Sequence, residues 1–345
     1  MKTAVFGAEA KGADLERILN SPQFIKGRFR NQGRKRADIT LSKMPKLIQE
    51  SNSGKVNRKP PQKVDFLKRT REDFATLPKE PLRITWFGHS AFLVEIEGIR
   101  LLFDPQLGKM AAPVPFAVRR FHNRVPLKPE DFPDIDAVIY THDHYDHLDY
   151  SSVKKLKSKV KHWITPLGVG AHLKRWGVDP FSITQLDWWE EIQFEHLRII
   201  STPNQHFSGR KFAWRDKTLW CSWVIQGKEN KIFFNGDSGY YNGFEIIGNK
   251  LGPFDVCMME CGQYHYMWKE NHMTPEETAQ AFLELKGKSM IPMHWGAFTL
   301  APHSWTDPIE RISHMADELG FNLITPRIGE SVIPGTYEPT EQWWK

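Results

Sequence analysis

Residues 135–149, IDAVIYTHDHYDHLD, decide the fold, because an apolar run ends there in a loop crowded with histidine and aspartate. The run IDAVIY predicts a buried β-strand. The loop after it has the pattern HxHxDH, whose imidazole and carboxylate groups are ligands that suit Zn²⁺ and comparable divalent ions. Burying so many polar groups in one short loop without partners would be unfavourable. The stretch therefore predicts a metal-binding loop at the end of a strand.

Further candidate ligands lie downstream, each shortly after another apolar run that reads as a strand. The loop itself supplies His142, His144, Asp146 and His147. The downstream runs supply His206, Asp237 and His294. We expect one ion to be held by His142, His144 and His206 and a second ion by Asp146, His147 and His294, with Asp237 as the bridging ligand.

The order of elements predicts an α/β layered architecture with its site on loops at the C-terminal ends of strands. Apolar runs rich in β-formers alternate with helical patterns over residues 82–335. One helix start is explicit, since Thr274 and Glu277 have capping-box spacing around Pro275. The sequence contains no Gly-rich phosphate loop of the Rossmann or Walker type. The predicted helices cover residues 151–160, 167–177, 274–287 and 307–320.

The charge of the chain is unevenly distributed. The 345 residues have a net charge of +6, but residues 1–70 contain 17 Lys/Arg against 6 Asp/Glu, a net of +11. The remainder therefore carries 30 against 35, a net of −5. We expect a basic N-terminal arm over residues 1–78 and one α/β domain, which carries the predicted metal site, over residues 79–345. The arm is interpreted as a solvated segment packed loosely over the domain, with a phospholipid-surface anchor or an oligomer arm as alternatives.

Composition excludes several classes of protein. A hydrophobic content of 40% and a charged content of 26% are typical of a folded soluble protein. Three cysteines are too few for a disulfide scaffold, and we expect them to be reduced core residues. The short apolar stretch at residues 4–10 contains Glu9 and is a poor signal peptide. We therefore expect a cytoplasmic protein, with peripheral membrane contact left open.

Five motifs in order resemble one branch of the metallo-β-lactamase superfamily. They are TWFGHSAFLVEIEGIRLLFDP, THDHYDHLD, NGDSGY, HMTPEE and MHWGAF, at residues 85–105, 141–149, 235–240, 272–277 and 293–298. Together they resemble the N-acyl-phosphatidylethanolamine-hydrolysing phospholipase D branch and its bacterial relatives over roughly residues 80–335. The resemblance implies a four-layer αββα sandwich and a binuclear metal site. Zn²⁺ is the expected ion, with Fe or Mn as alternatives.

The implied activity is hydrolysis of a phosphodiester in N-acyl-phosphatidylethanolamine-like phospholipids by a hydroxide that bridges two metal ions. Asp146 and Asp237 are the candidate catalytic carboxylates, and Asp146 could orient the hydroxide as well as ligate. By resemblance His272 contacts the substrate. His89 is also grouped with the substrate-binding residues. We expect it to donate a hydrogen bond to a neighbouring side chain of the site and not to ligate a metal ion.

Two other activities remain open for the same ligand set. One is a lactonase or ester hydrolase similar to the ascorbate-phosphate lactonases, since the same ions activate water against carbonyls. The other is a nuclease, although a charge of +6 does not establish a nucleic-acid partner. The expected partner is a small-molecule or phospholipid substrate, and the resemblance suggests a homodimer.

Overall fold

Two seven-stranded mixed sheets face each other across an apolar core and carry helices on their outer faces. The computed structural model describes residues 3–32, 44–52, 56–64, 66–114, 117–121, 124–337 and 342–345. The strands are β1 (Phe24–Ile25), β2 (Arg28–Phe29), β3 (Leu82–Trp86), β4 (Phe92–Ile96), β5 (Ile99–Phe103), β6 (Ile135–Ile139), β7 (Val160–Pro166), β8 (Ile183–Leu186), β9 (Glu191–Phe194), β10 (Leu197–Thr202), β11 (Ser222–Gln226), β12 (Lys231–Phe234), β13 (Phe254–Glu260), β14 (Gly287–Met293), β15 (Asn322–Leu323) and β16 (Ser331–Val332). The helices are α1 (Ala13–Asn20), α2 (Met44–Asn52), α3 (Tyr150–Leu156), α4 (Gly170–Arg175), α5 (Gly243–Leu251), α6 (Pro275–Glu284) and α7 (Asp307–Leu319).

The two sheets have the same kind of topology, in which antiparallel strands at one end of the sheet are followed by parallel strands at the other. The first sheet has the order β16-β3-β4-β5-β6-β7-β8, and its strands are parallel from β5 to β8. The second has the order β15-β14-β13-β12-β11-β10-β9, and it is parallel from β12 to β15. Since parallel strands end at the same edge, the loops that follow β5, β6, β12 and β14 come together there.

Side-chain alternation along the strands builds the layers. On β5, Leu101 and Phe103 point into the core between the sheets, whereas Leu102 packs in a second cluster with α3 and α4. The rings of Phe103 and Phe234 stack across the two sheets with centroids 4.6 Å apart. On the far side, α6 packs on β13 and β14. The predicted four-layer αββα sandwich is therefore confirmed.

The predicted helices are present as α3, α4, α6 and α7, and the capping box of Thr274 and Glu277 forms as expected. The helix α5 was not predicted, because Gly248 interrupts its pattern. The structure gives the reason for this glycine, since a Cβ at residue 248 would lie 2.0 Å from the carbonyl oxygen of Glu284 on α6. The three cysteines are free and buried, as expected.

The described part of the N-terminal arm is packed into the domain more closely than a solvated segment would be. Ile18 and Phe29 are buried and belong to the same apolar cluster as the core of the sandwich. The basic residues 33–43 of the predicted arm lie outside the described residues, and the predicted boundary at residue 78 stays a prediction.

Among the described residues, no helix is both long and apolar enough to cross a membrane.

The packing of the core between the sheets leads to a prediction about the free energy of unfolding. Phe92 is fully buried there, and its ring meets that of Phe234 edge to face with centroids 6.0 Å apart. We expect Phe92→Ala to lower the free energy of unfolding by about 3–5 kcal/mol, because it removes buried apolar surface and leaves a cavity. Urea unfolding of the metal-free protein measures this effect. Phe181, which is 96% exposed, provides the matched control, and Phe181→Ala should have an effect near zero.

Candidate metal centre

The histidine loop connects β6 to α3 at the edge where the parallel strands end. Asp149 caps α3 by accepting hydrogen bonds from the backbone N–H groups of Ser151 and Ser152. The loop between β6 and this cap is short, so strand and helix together fix where its side chains lie. His142 and His147 are buried, whereas His144 and Asp146 are partly exposed.

Three predicted ligands form one compact group of imidazoles. His144 Nδ1 lies 2.9 Å from His142 Nε2 and 3.2 Å from His206 Nε2. Asp237 Oδ2 lies 3.8 Å from both of those Nε2 atoms. These four residues, His142, His144, His206 and Asp237, are named the first ligand group, and their potential ligand atoms lie within 4.8 Å of one another.

The other predicted ligands form a second group, beside which the structure also places His89. The second ligand group is His89, Asp146, His147 and His294, and its potential ligand atoms also lie within 4.8 Å of one another. Asp237 lies between the groups, because its Oδ1 is 3.1 Å from His147 Nε2 and 3.0 Å from His294 Nδ1. One carboxylate thus presents one oxygen to each group, which is the geometry expected of a bridging ligand.

The donor set fits divalent cations. The buried atoms His147 Nε2 and Asp237 Oδ1 lie 3.1 Å apart, yet neither makes a well-aligned hydrogen bond to any described residue. Burial, together with repulsion between neighbouring imidazoles, holds the pKa of His142 and that of His206 well below the usual value, so both rings are neutral, the form that ligates. For His147 burial acts in the same direction, but Asp237, Asp146 and Asp104 outweigh it and raise its pKa well above the usual value. The carboxylates thus bring negative charge that a cation would neutralise.

Comparison with known proteins places this site in a family. The family model described as a β-lactamase superfamily domain matches residues 99–295. An uncharacterised protein of Mycobacterium tuberculosis is 39% identical over 268 residues, which cover 76% of this chain and 72% of that one. The chain belongs to the metallo-β-lactamase superfamily. The family resemblance found in the sequence is thereby confirmed.

One further relative is a named hydrolase, and one solved structure shares the fold. The N-acyl-phosphatidylethanolamine-hydrolysing phospholipase D 1 of Caenorhabditis elegans is 31% identical over 262 residues, covering 72% of this chain and 73% of that enzyme. The solved structure of a metallo hydrolase from the archaeon Ignicoccus hospitalis has the same fold, with a TM-score of 0.57 and a sequence identity of 22%. The match covers 73% of this chain and 97% of the archaeal chain. The protein is a metal-dependent hydrolase.

Asp104 orients ligands of both groups in this hydrolase, a role that the sequence analysis missed. Its carboxylate accepts hydrogen bonds from Thr141 N at 2.8 Å, Thr141 Oγ1 at 2.6 Å and His147 Nδ1 at 2.7 Å. Since the Thr141 hydroxyl donates to Asp104, it can accept from His142 Nδ1, 3.0 Å away. Both histidines therefore keep Nε2 free as the ligand atom. The available signal was the position of Asp104 directly after β5, beside the strand that leads to the loop.

His89 and His294 are held by an unusual backbone arrangement. Both have left-handed backbone conformations, with φ angles of 56° and 69°. The N–H of His294 donates to the carbonyl oxygen of His89, and the N–H of His89 donates to that of Trp295. The His89 ring is fully buried, with Nε2 3.0 Å from Asp146 Oδ2. This contact agrees with a hydrogen-bond donor behind Asp146, and its assignment to the substrate side stays a prediction.

His272 lies beside both groups and is partly exposed. Its ring centroid is 5.3 Å from that of His294 and 5.1 Å from that of His206. Nδ1 is 2.5 Å from Oε1 of Glu260, a buried carboxyl whose pKa burial raises well above the usual range. Since Nδ1 is engaged, Nε2 is the ring nitrogen available to a ligand. The substrate role of His272 stays a prediction that this position makes feasible.

The shared position of Asp104 leads to a prediction about metal affinity. Asp104→Asn should weaken metal binding by about 10–100-fold, because the amide cannot accept all three hydrogen bonds that orient His142 and His147. Competition with a chromophoric chelator measures this loss. Asp134→Asn, at an exposed aspartate before β6, is the matched control and should bind metal as the parent does.

Proposed function

We propose that this protein is a binuclear phosphodiesterase of the phospholipase D type that cleaves N-acyl-phosphatidylethanolamine-like phospholipids. The observation that carries the proposal is the position of His272, half-buried beside both ligand groups and tethered to Glu260. A site with a polar donor next to two cation positions suits a substrate whose reacting group is anionic. The likeness to the nematode phospholipase D over most of both chains supports the same substrate class.

Two divalent ions, with Zn²⁺ favoured by the imidazole and carboxylate donors, would supply Lewis-acid activation of water and charge neutralisation at phosphorus. The proposed ligands of the first ion are His142, His144 and His206. Those of the second ion are Asp146, His147 and His294, and Asp237 is shared. Elemental analysis of the purified protein tests the identity and number of the ions.

The chain's own residues orient the reacting groups in this proposal. Asp146 is partly exposed and is held by His89, so one of its oxygens can accept a hydrogen bond from the attacking water. His272 meets a phosphoryl oxygen through Nε2, while Glu260 fixes the ring from the other side. Water attacks phosphorus and the bond to the ethanolamine oxygen breaks. The products are a phosphatidate and an N-acylethanolamine, the latter taking up the proton.

A substrate panel tests this function. We expect turnover of N-acyl-phosphatidylethanolamine in mixed micelles and of bis-p-nitrophenyl phosphate, and no comparable turnover of a homoserine lactone or of RNA. Asp237→Ala should abolish the activity, because both ligand groups lose their shared carboxylate. Fast lactone hydrolysis without phosphodiester hydrolysis would replace the proposal with a lactonase, and RNA cleavage alone would replace it with a nuclease.

His272 gives a sharper test of the same proposal. We expect His272→Gln to lower kcat/KM for the phospholipid by about 10²-fold or more while the metal content stays at the parent value. His314→Gln, at an exposed histidine on α7, is the matched control and should leave both quantities unchanged. Loss of metal in His272→Gln would instead identify His272 as a ligand.

A further inference from the structure

The N-terminal arm reaches the first ligand group through Asn31. The Asn31 side-chain amide makes two hydrogen bonds with the backbone of His206. Its Nδ2 donates to the carbonyl oxygen at 2.9 Å, and its Oδ1 accepts from the N–H at 3.1 Å. The same Oδ1 accepts a hydrogen bond from Trp220 Nε1 at 2.9 Å. The His206 ring donates from Nδ1 to the carbonyl oxygen of Asn271, which leaves Nε2 facing the site. Asn31 thus fixes the backbone of a proposed ligand.

The arm reaches the histidine loop at a second place, through His172. The N–H of Ala8 donates to His172 Nδ1 at 3.0 Å, so the neutral ring carries its proton on Nε2 and donates it to Asp143 Oδ2 at 3.2 Å. Asp143 stands between His142 and His144 in the sequence. Gly7 permits this approach, because its φ is 76° and a Cβ there would lie 2.0 Å from His172 Nδ1.

Arg210 ties the same part of the arm to the loop. Its guanidinium donates from Nη2 to the carbonyl oxygen of Val5 at 2.8 Å. On the other side, Nη1 donates to the carbonyl oxygens of Asp143 at 2.7 Å and Leu148 at 2.8 Å. Arg210 is only 3% exposed, so these hydrogen bonds are shielded from water and each lost partner would leave a buried charge less satisfied.

The contacts of the arm converge on one side of the metal centre. Asn31 hydrogen-bonds to the backbone of His206. Val5 and Ala8 reach Asp143, which lies between His142 and His144 in the sequence, through Arg210 and His172. In the second group, His147 is held by Asp104, and Ser90 Oγ lies 3.3 Å from His294 Nδ1, both within the domain.

We propose that residues 5–31 belong to the metal centre, with Asn31 as a positioning residue that holds the first ligand group. The proposal rests on the ligand set given under the proposed function. It assigns to this part of the arm a role in metal binding in addition to any contact with membranes or other chains. Partners that orient metal ligands typically contribute about 10–100-fold to metal affinity.

The first experiment compares Asn31→Ala with Asn20→Ala, a matched control at an exposed asparagine at the end of α1. Zn²⁺ affinity is measured by chelator competition, and folding by circular dichroism and urea unfolding of the metal-free protein. We expect Asn31→Ala to weaken one Zn²⁺ equivalent at least 10-fold while Asn20→Ala matches the parent. Parent-like affinity in Asn31→Ala would overturn the proposal.

A double-mutant cycle separates positioning from general loosening of the fold. In a His147→Ala background, Asn31→Ala should still weaken the remaining Zn²⁺ at least 10-fold. In a His206→Ala background, it should change Zn²⁺ affinity by less than twofold, because the residue it positions is gone. Equal effects in both backgrounds would overturn the proposal. A parent protein that binds a single ion would refute the binuclear centre, yet the cycle would still report whether Asn31 acts through His206.

Discussion

The structure depends on one constraint, which is that a dense cluster of ionisable groups is buried at a single edge of the sandwich. Asp237 faces imidazoles with both oxygens, 3.1 Å from His147 on one side and 3.8 Å from His142 on the other. Three buried atoms of the cluster, His89 Nδ1, His147 Nε2 and Asp237 Oδ1, make no well-aligned hydrogen bond to any described residue, which is unfavourable in a protein interior. A cation bound by the proposed ligands would therefore stabilise this edge, as in other proteins whose ligands converge only in the folded state.

The sandwich meets this constraint by its topology. Each sheet changes from antiparallel to parallel pairing, so strands distant in sequence end side by side. The register of Phe103 opposite Ile139 on β5 and β6 brings Asp104 to the start of the histidine loop. A carboxylate on one strand can then set the tautomers of histidines that follow the next strand. The pairing of β5 with β6 therefore also determines which hydrogen bonds the candidate ligands make.

Local patterns in the sequence predicted an α/β layered architecture and the candidate ligands, whereas the four-layer αββα sandwich was expected from the family resemblance. The HxHxDH loop, and each polar residue that follows an apolar run, can be recognised within one short segment of the sequence. The role of Asp104 could not be recognised in this way, since it depends on strand register. The helix α5 was missed because Gly248 reads as a breaker until its close approach to α6 is known. Asn31 gave no signal, because its contact with His206 spans 175 positions of the chain.

The N-terminal arm also contacts one of the edge strands of the sheets. An open strand edge is a template on which another chain can pair and aggregate. One edge of each sheet is formed by a strand of only two residues, β15 or β16. The strand β9 alternates exposed Glu191 and Gln193 with half-buried residues. At β8, Arg17 of α1 donates to the carbonyl oxygen of Gln185, so the segment that we propose to support a metal ligand also occupies a backbone acceptor of an edge strand, which would hinder another chain from pairing there.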